Sequence, residues 1–126
     1  MSNVSSLPVQ AGSTHVRDRV SAEEWEVRVK LAAAYRIAAL KRWTDHIYTH
    51  FSARVPGPDE HFLINAFGLL FDEITASNLV KVDIDGTIVD DPTGLGINHA
   101  GYVIHSAIHA ARPDLQAVLH THTRDG

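Results

Sequence analysis

The 126-residue sequence contains no cysteine, which excludes disulfides and every thiolate metal site. A tight metal site would have to use imidazole and carboxylate ligands, and nine histidines supply the imidazole. Basic residues are few: eleven Lys and Arg stand against fifteen Asp and Glu, a formal charge of −4. There is thus no basic stripe to replace phosphate counterions, and no nucleic-acid partner is expected. No apolar run approaches the ~18 residues of a membrane span, so no membrane partner is expected either. The first residues lack a charged segment followed by an apolar one, which leaves the cytoplasm as the default location. Phosphate-binding, dinucleotide-binding and nucleophile-elbow motifs are all missing; Gly94-Leu95-Gly96 is too short to count as one. What is present is 44% hydrophobic and 21% charged, an ordinary globular composition with room for one domain.

Residues 1–20 carry no sustained period and read as a flexible arm, with the domain proper spanning 21–126. Ser21 and Glu24 form a capping-box pattern. Val27, Leu31, Ala34 and Ala38 then give one apolar helical stripe, with Glu26, Arg28 and Lys30 off it. This spacing predicts a helix over 22–43. The period next changes to β-branched and aromatic residues over 47–55, which end at Pro56-Gly57-Pro58-Asp59, with a returning strand over 60–65. A short helical turn is expected over 75–79. The clearest hairpin joins 80–84 to 87–89 through Asp85-Gly86, since Asp-Gly suits the positive φ of a tight turn. A loop with Pro92, Gly94 and Gly96 leads to a second helix over 100–111, then to a last strand over 115–123. That histidine-rich strand should be central, yet few residues follow it, so the domain reads as truncated. Its uncovered face and edge invite association.

His120 and His122 are two residues apart, and on a strand both side chains leave the same face. Two adjacent imidazoles can chelate Zn²⁺ with further ligands from elsewhere. The same spacing also suits partly buried polar residues bonded to backbone, and spacing does not choose between them. His105 and His109 share a helix face, but Ser106, Ala107 and Ala110 among them indicate close packing on a sheet, with His109 at an edge. His46, His50 and His61 flank the first hairpin without a pattern of their own. Asp72, Glu73, Asp83, Asp85, Asp90 and Asp91 are the carboxylates available for acid/base work, and all lie next to turns, where they ordinarily cap.

Several segments taken in order resemble one family. Phe62-Leu63-Ile64-Asn65-Ala66-Phe67-Gly68-Leu69 and Ile74-Thr75-Ala76-Ser77-Asn78-Leu79-Val80-Lys81-Val82-Asp83 are similar to the first half of the class II aldolase/adducin domain. So are the run from His105 to Asp114 and Val118-Leu119-His120-Thr121-His122-Thr123. The resemblance implies an α/β fold, a three-layer α/β/α sandwich around a largely antiparallel sheet, and assembly into homo-oligomers, commonly tetramers. It further implies that His120 and His122 ligate zinc or another divalent metal, with a third histidine supplied from the second half of such a domain. Gly68 matches a glycine of the substrate loop. Other positions depart from the sugar-phosphate enzymes: Gly101 stands where they have an acid/base glutamate, His99 and Ala100 where they have phosphate-binding serines, and His50 where they have a phosphate-contacting asparagine. The Phe-Gly-Leu and Thr-Ala-Ser segments are more similar to the adducin-like branch. The expected function is therefore metal-dependent, aldolase-like cleavage of a small hydroxy-carbonyl compound through an enediolate, the fragment alone being inactive. The alternative is a non-catalytic adducin-like module for oligomerisation or protein interaction.

Overall fold

The computed structural model describes residues 15–125. Five strands form one sheet in the order β4-β3-β2-β1-β5, every pairing antiparallel. β1 (His50–Arg54), β2 (His61–Ile64), β3 (Val80–Asp83) and β4 (Ile88–Asp90) run as a meander. The chain then crosses one face as a helix and returns β5 (Ala117–His120) to the free side of β1. Of the helices, α1 (Val16–Arg19) and α2 (Ala22–Leu40) precede the sheet, and α3 (His99–Ala111) is the crossover. A 3-10 turn spans Phe71–Glu73. The expected short helical turn is a bonded turn, in which Asn78 N–H donates to the Thr75 carbonyl and the Asn78 side chain accepts from Thr75 N–H.

Side chains alternate across a strand, and that alternation builds the layers. Leu31, Ala32, Tyr35 and Ala38 of α2 pack on Phe51, Ala53 and Leu63 from one face of the sheet, with Phe71, Ile74 and Leu79 closing the cluster. Phe62, Ile64, Val80 and Val82 point the other way and meet Tyr102 of α3. The three-layer α/β/α arrangement and the antiparallel sheet are thus as expected. Ser21 caps α2 by accepting from Glu24 N–H, but the Glu24 carboxylate does not close the box. It binds Arg28 and Lys81 instead. Arg28, read from sequence as off the apolar stripe, is fully buried. Its guanidinium reaches the Ala76 and Leu79 carbonyls as well as Glu24, which compensates the burial of its charge.

Several boundaries differ from the sequence reading; β1, for one, begins at His50 and not at 47. α2 ends at Leu40, not at 43, because Arg42 takes a left-handed φ of 58°. Trp43 N–H then bonds back to the Ala38 carbonyl, a Schellman-type closure with arginine where glycine is usual. The last strand ends at His120, where its partner β1 begins at His50. Within the presumed arm, Val16–Arg19 form a helical turn with Val16 buried and Arg19 paired to Asp90; residues 1–14 lie outside the described residues. β5 is a sheet edge, its residues alternating between exposed and half-buried, with Leu119 58% exposed.

Candidate metal centre

His120 ends β5 and His122 follows it, and their Nε2 atoms approach to 3.1 Å. The turn leaving α2 holds them there. His122 N–H donates to the Trp43 carbonyl, and His122 Nδ1 lies 2.9 Å from Asp45 Oδ2. A carboxylate can only accept, so Nδ1 carries the proton and His122 Nε2 presents a lone pair. His120 Nε2–H then donates to it. Two Zn–N bonds of ordinary length at the tetrahedral angle place their nitrogens about 3.3 Å apart, so the pair fits a divalent metal in both spacing and donor chemistry. Asp45 is the outer carboxylate that such a histidine commonly has. Among the described residues no group of three or more His, Cys, Asp or Glu could hold a metal.

The histidines collect around this pair because β1 alternates. His50 lies directly opposite His120, and Ser52 opposite Val118, both facing α3. The His50 ring is 5.6 Å from that of His120 and 5.9 Å from that of His105. Ser52 Oγ bridges His105 Nδ1 at 2.7 Å and His109 Nε2 at 2.9 Å. His109 is therefore not at an edge: it is 1% exposed and lies against the Phe62 ring. Burial chiefly, then the charge of neighbouring groups, pushes His105 and His109 down to about 4. Burial, followed by the proximity of His120 and His122, also lowers His50, and burial with His122 lowers His120. Burial thus favours the neutral form of His50, His105, His109 and His120.

Beside it, a groove of about 240 Å³ is lined by Gly101, Ile104, His105, Val118 and His120 among others. A second cavity, about 370 Å³, takes in Asp45, His46, Leu70 and Asp72. Gly68 lies on the turn after β2, where its φ of 87° suits glycine and open space surrounds its α-carbon. It belongs to this loop and not to the histidine cluster. Of the carboxylates considered from sequence, Glu73 caps the 3-10 turn, Asp83 holds the β3–β4 turn and Asp91 holds its own loop. Asp90 pairs with Arg19. The carboxylate that does reach the pair, Asp45, carried no spacing signal. His50 and Ser52 could have been found by extending the strand alternation to polar residues.

The family model described as Class II Aldolase and Adducin N-terminal domain matches residues 29–126. The chain belongs to that family. It is similar to a crystal structure of an aldolase II superfamily protein from Pseudomonas syringae, with 95% identity and a TM-score of 0.87 over 89% of this chain and 45% of that one. An L-fuculose 1-phosphate aldolase from Glaciozyma antarctica is 39% identical, with a TM-score of 0.78 over 83% of this chain and 43% of that one. Alpha-adducin from Rattus norvegicus is 54% identical over 79% of this chain and 14% of its own length. The chain spans less than half the length of the bacterial curated relatives it matches, 43% and 46% of two of them.

Proposed function

We propose that the protein carrying this chain is a divalent-metal-dependent, aldolase-like lyase acting on a small hydroxy-carbonyl compound, with His120 and His122 as two of its metal ligands. The observation that carries this is the pair of Nε2 atoms 3.1 Å apart, with Asp45 fixing the tautomer of His122. Zinc or another divalent ion would be held there, with its third ligand from outside the described residues. Such an ion supplies Lewis-acid polarisation of adjacent hydroxyl and carbonyl oxygens, the chemistry of aldol cleavage through an enediolate. Asp45 holds the proton on His122 Nδ1, and the buried neutral rings of His105 and His109 keep competing positive charge away from the site. The loop begun by Gly68 is the substrate-side element of this reading, and the assembly is a homo-oligomer, a tetramer by the family resemblance.

A second reading, a non-catalytic adducin-like module with vestigial histidines, is favoured by one feature. Gly101 puts no side chain into the groove beside His120. Metal analysis of the full-length gene product separates the two. The lyase reading expects stoichiometric metal, lost when His120 and His122 are both replaced by alanine. It also expects Asp45→Asn to weaken metal binding about 10- to 100-fold, the usual cost of losing such an outer carboxylate. A stably folded, metal-free oligomer would establish the module instead.

A further inference from the structure

The two edges of the sheet are finished differently. β4 is three residues long, its pairing with β3 shifts register between Lys81 and Val82, and its Asp90 is paired to Arg19 of α1. Shortness, irregular pairing and charge are the means by which native edges avoid pairing with other chains. β5 has none of the three. Residues 115–121 include no Lys, Arg, Asp, Glu or Pro, and the pairing with β1 runs without a register shift.

The register of that pairing shows which backbone groups are left over. Arg54 N–H donates to the Gln116 carbonyl, so residues 116, 118 and 120 turn their amides and carbonyls toward β1. Those of Ala117 and Leu119 point outward, away from the sheet. An apolar groove flanks this edge on each face. On the α2 side, one of about 330 Å³ is lined by Val27, Leu31, Ala34, Ala117 and Leu119 among others. On the α3 side, the groove of about 240 Å³ has Ile104, Ile108 and Val118 among its walls. Among the described residues β5 pairs with β1 alone. Residues 1–14 join the sheet through α1, which Arg19 ties to β4 at the opposite edge.

We propose that the 126-residue chain associates with a second copy of itself through the free edge of β5, as a twofold dimer whose two sheets join into one. With the copies antiparallel about an axis at Val118, the outward groups of Ala117 meet those of Leu119 from the other copy, and every outward donor finds an acceptor. The same register sets the large Leu119 across from the small Ala117 on the α2 side, and Val118 beside its twin on the α3 side. Leu119 then enters the groove that Ala117 lines, so the surface is self-complementary, as a twofold contact must be. A stable contact usually buries ~800 Å² per partner, more than a short strand edge supplies, so filling the two grooves decides its strength. The proposal does not depend on the metal-site reading.

Sedimentation equilibrium of the 126-residue chain over a concentration series, with a chelator present, tests this together with amide hydrogen exchange read by NMR. The expected species is a dimer in which the amides of Ala117 and Leu119 are protected along with those of Val118 and His120. Leu119→Lys places a charge at a position that is 58% exposed, so the fold should survive it. It should weaken dimerisation at least about tenfold and free the amides at 117 and 119, while those at 118 and 120, bonded to β1, stay protected. Ala117→Lys, across the same pair, should do likewise. Val103→Lys, on the outer face of α3 where Val103 is 63% exposed, should leave the dimer intact. A chain that stays monomeric with freely exchanging 117 and 119 amides would overturn the proposal. So would protection of those amides in a monomer, which would mean that residues 1–14 cover the edge. A dimer indifferent to both β5 variants, or dissociated by Val103→Lys, would place the contact elsewhere. One dispersed by the chelator would be a metal bridge between copies and not a strand pairing.

Discussion

The two faces of β1 were built for different ends. Toward α2, Phe51 meets Tyr35 and Phe71 at ring-centroid distances of 5.0 and 5.1 Å, in a cluster with Leu31, Ala53 and Leu63. Its polar group, the Tyr35 hydroxyl, accepts from the Phe51 and Asn65 amides, and its one proton lies between two acceptors, the Phe51 carbonyl and Asn65 Oδ1. Toward α3, the same strand presents His50 to His105 and Ser52 to His105 and His109, and His50 Nδ1 is buried without a hydrogen-bond partner. Five residues of one strand thus carry an apolar, satisfied side and a polar, partly unsatisfied one. The first provides stability and the second holds groups ready at some cost to it, the division expected where a site is grafted on a scaffold.

If that division is real, acid should act on the α3 side first. His105 and His109, at about 4 in the folded chain, titrate near 6.5 once unfolded. Between those values the unfolded state binds more protons, so stability rises with pH through the window and is lost as pH falls from 6.5 toward 4. At about 1.4 kcal/mol per pKa unit, the upper bound is on the order of 3 kcal/mol for each ring. Burial holds the Tyr35 phenol above its ordinary value, so that ring does not titrate in this range. Urea unfolding of chelator-treated protein at pH 7 and pH 5 checks this. A stability that stays flat over that interval would mean the two rings are solvated and the cluster is not a buried unit.

Phe51→Ala probes the other side. It removes a ring that is 1% exposed and packed against two others. The expected cost is about 3–5 kcal/mol, lost transfer energy plus the cavity left behind. Metal uptake by whatever protein remains folded should be unchanged, because Phe51 points away from His120. Metal loss in parallel with stability would break the separation of the two faces.

Much of this layout was legible in the sequence because it is local. The Asp85-Gly86 turn, the α3 span and the same-face placement of His120 and His122 follow from turn chemistry and side-chain period. The family resemblance implied a metal-ligating role for the pair, and in the structure their Nε2 atoms lie 3.1 Å apart. The rest depends on tertiary register. That His50 faces His120 is a property of the β1–β5 pairing, made between residues 70 apart in the chain. Asp45 reaches His122 through a turn in which Arg42 and His46 adopt left-handed φ angles of 58° and 49°. Without glycine at either position, that turn gives no local signal. Arg28 was misread for a related reason: its burial is compensated by carbonyls at 76 and 79, which no helical period reveals.

Ser52→Ala is the smallest and most discriminating change. The Ser52 hydroxyl has one proton, so it donates to one imidazole and accepts from the other, and the two rings must adopt complementary tautomers. Alanine leaves His105 Nδ1 and His109 Nε2 facing each other without that relay, in a site where Ser52 itself is 0% exposed. The expected loss is about 1–2 kcal/mol, less than that for Phe51→Ala, since one small group is removed and little volume. Differential scanning calorimetry at pH 7 would show it as a melt lowered by several degrees. Metal content should hold, because neither of the rings that Ser52 bridges belongs to the Nε2 pair. An alanine variant as stable as the parent would show that the polar side of β1 is a set of independent contacts, and the contrast between its two faces would then be one of composition and not of design.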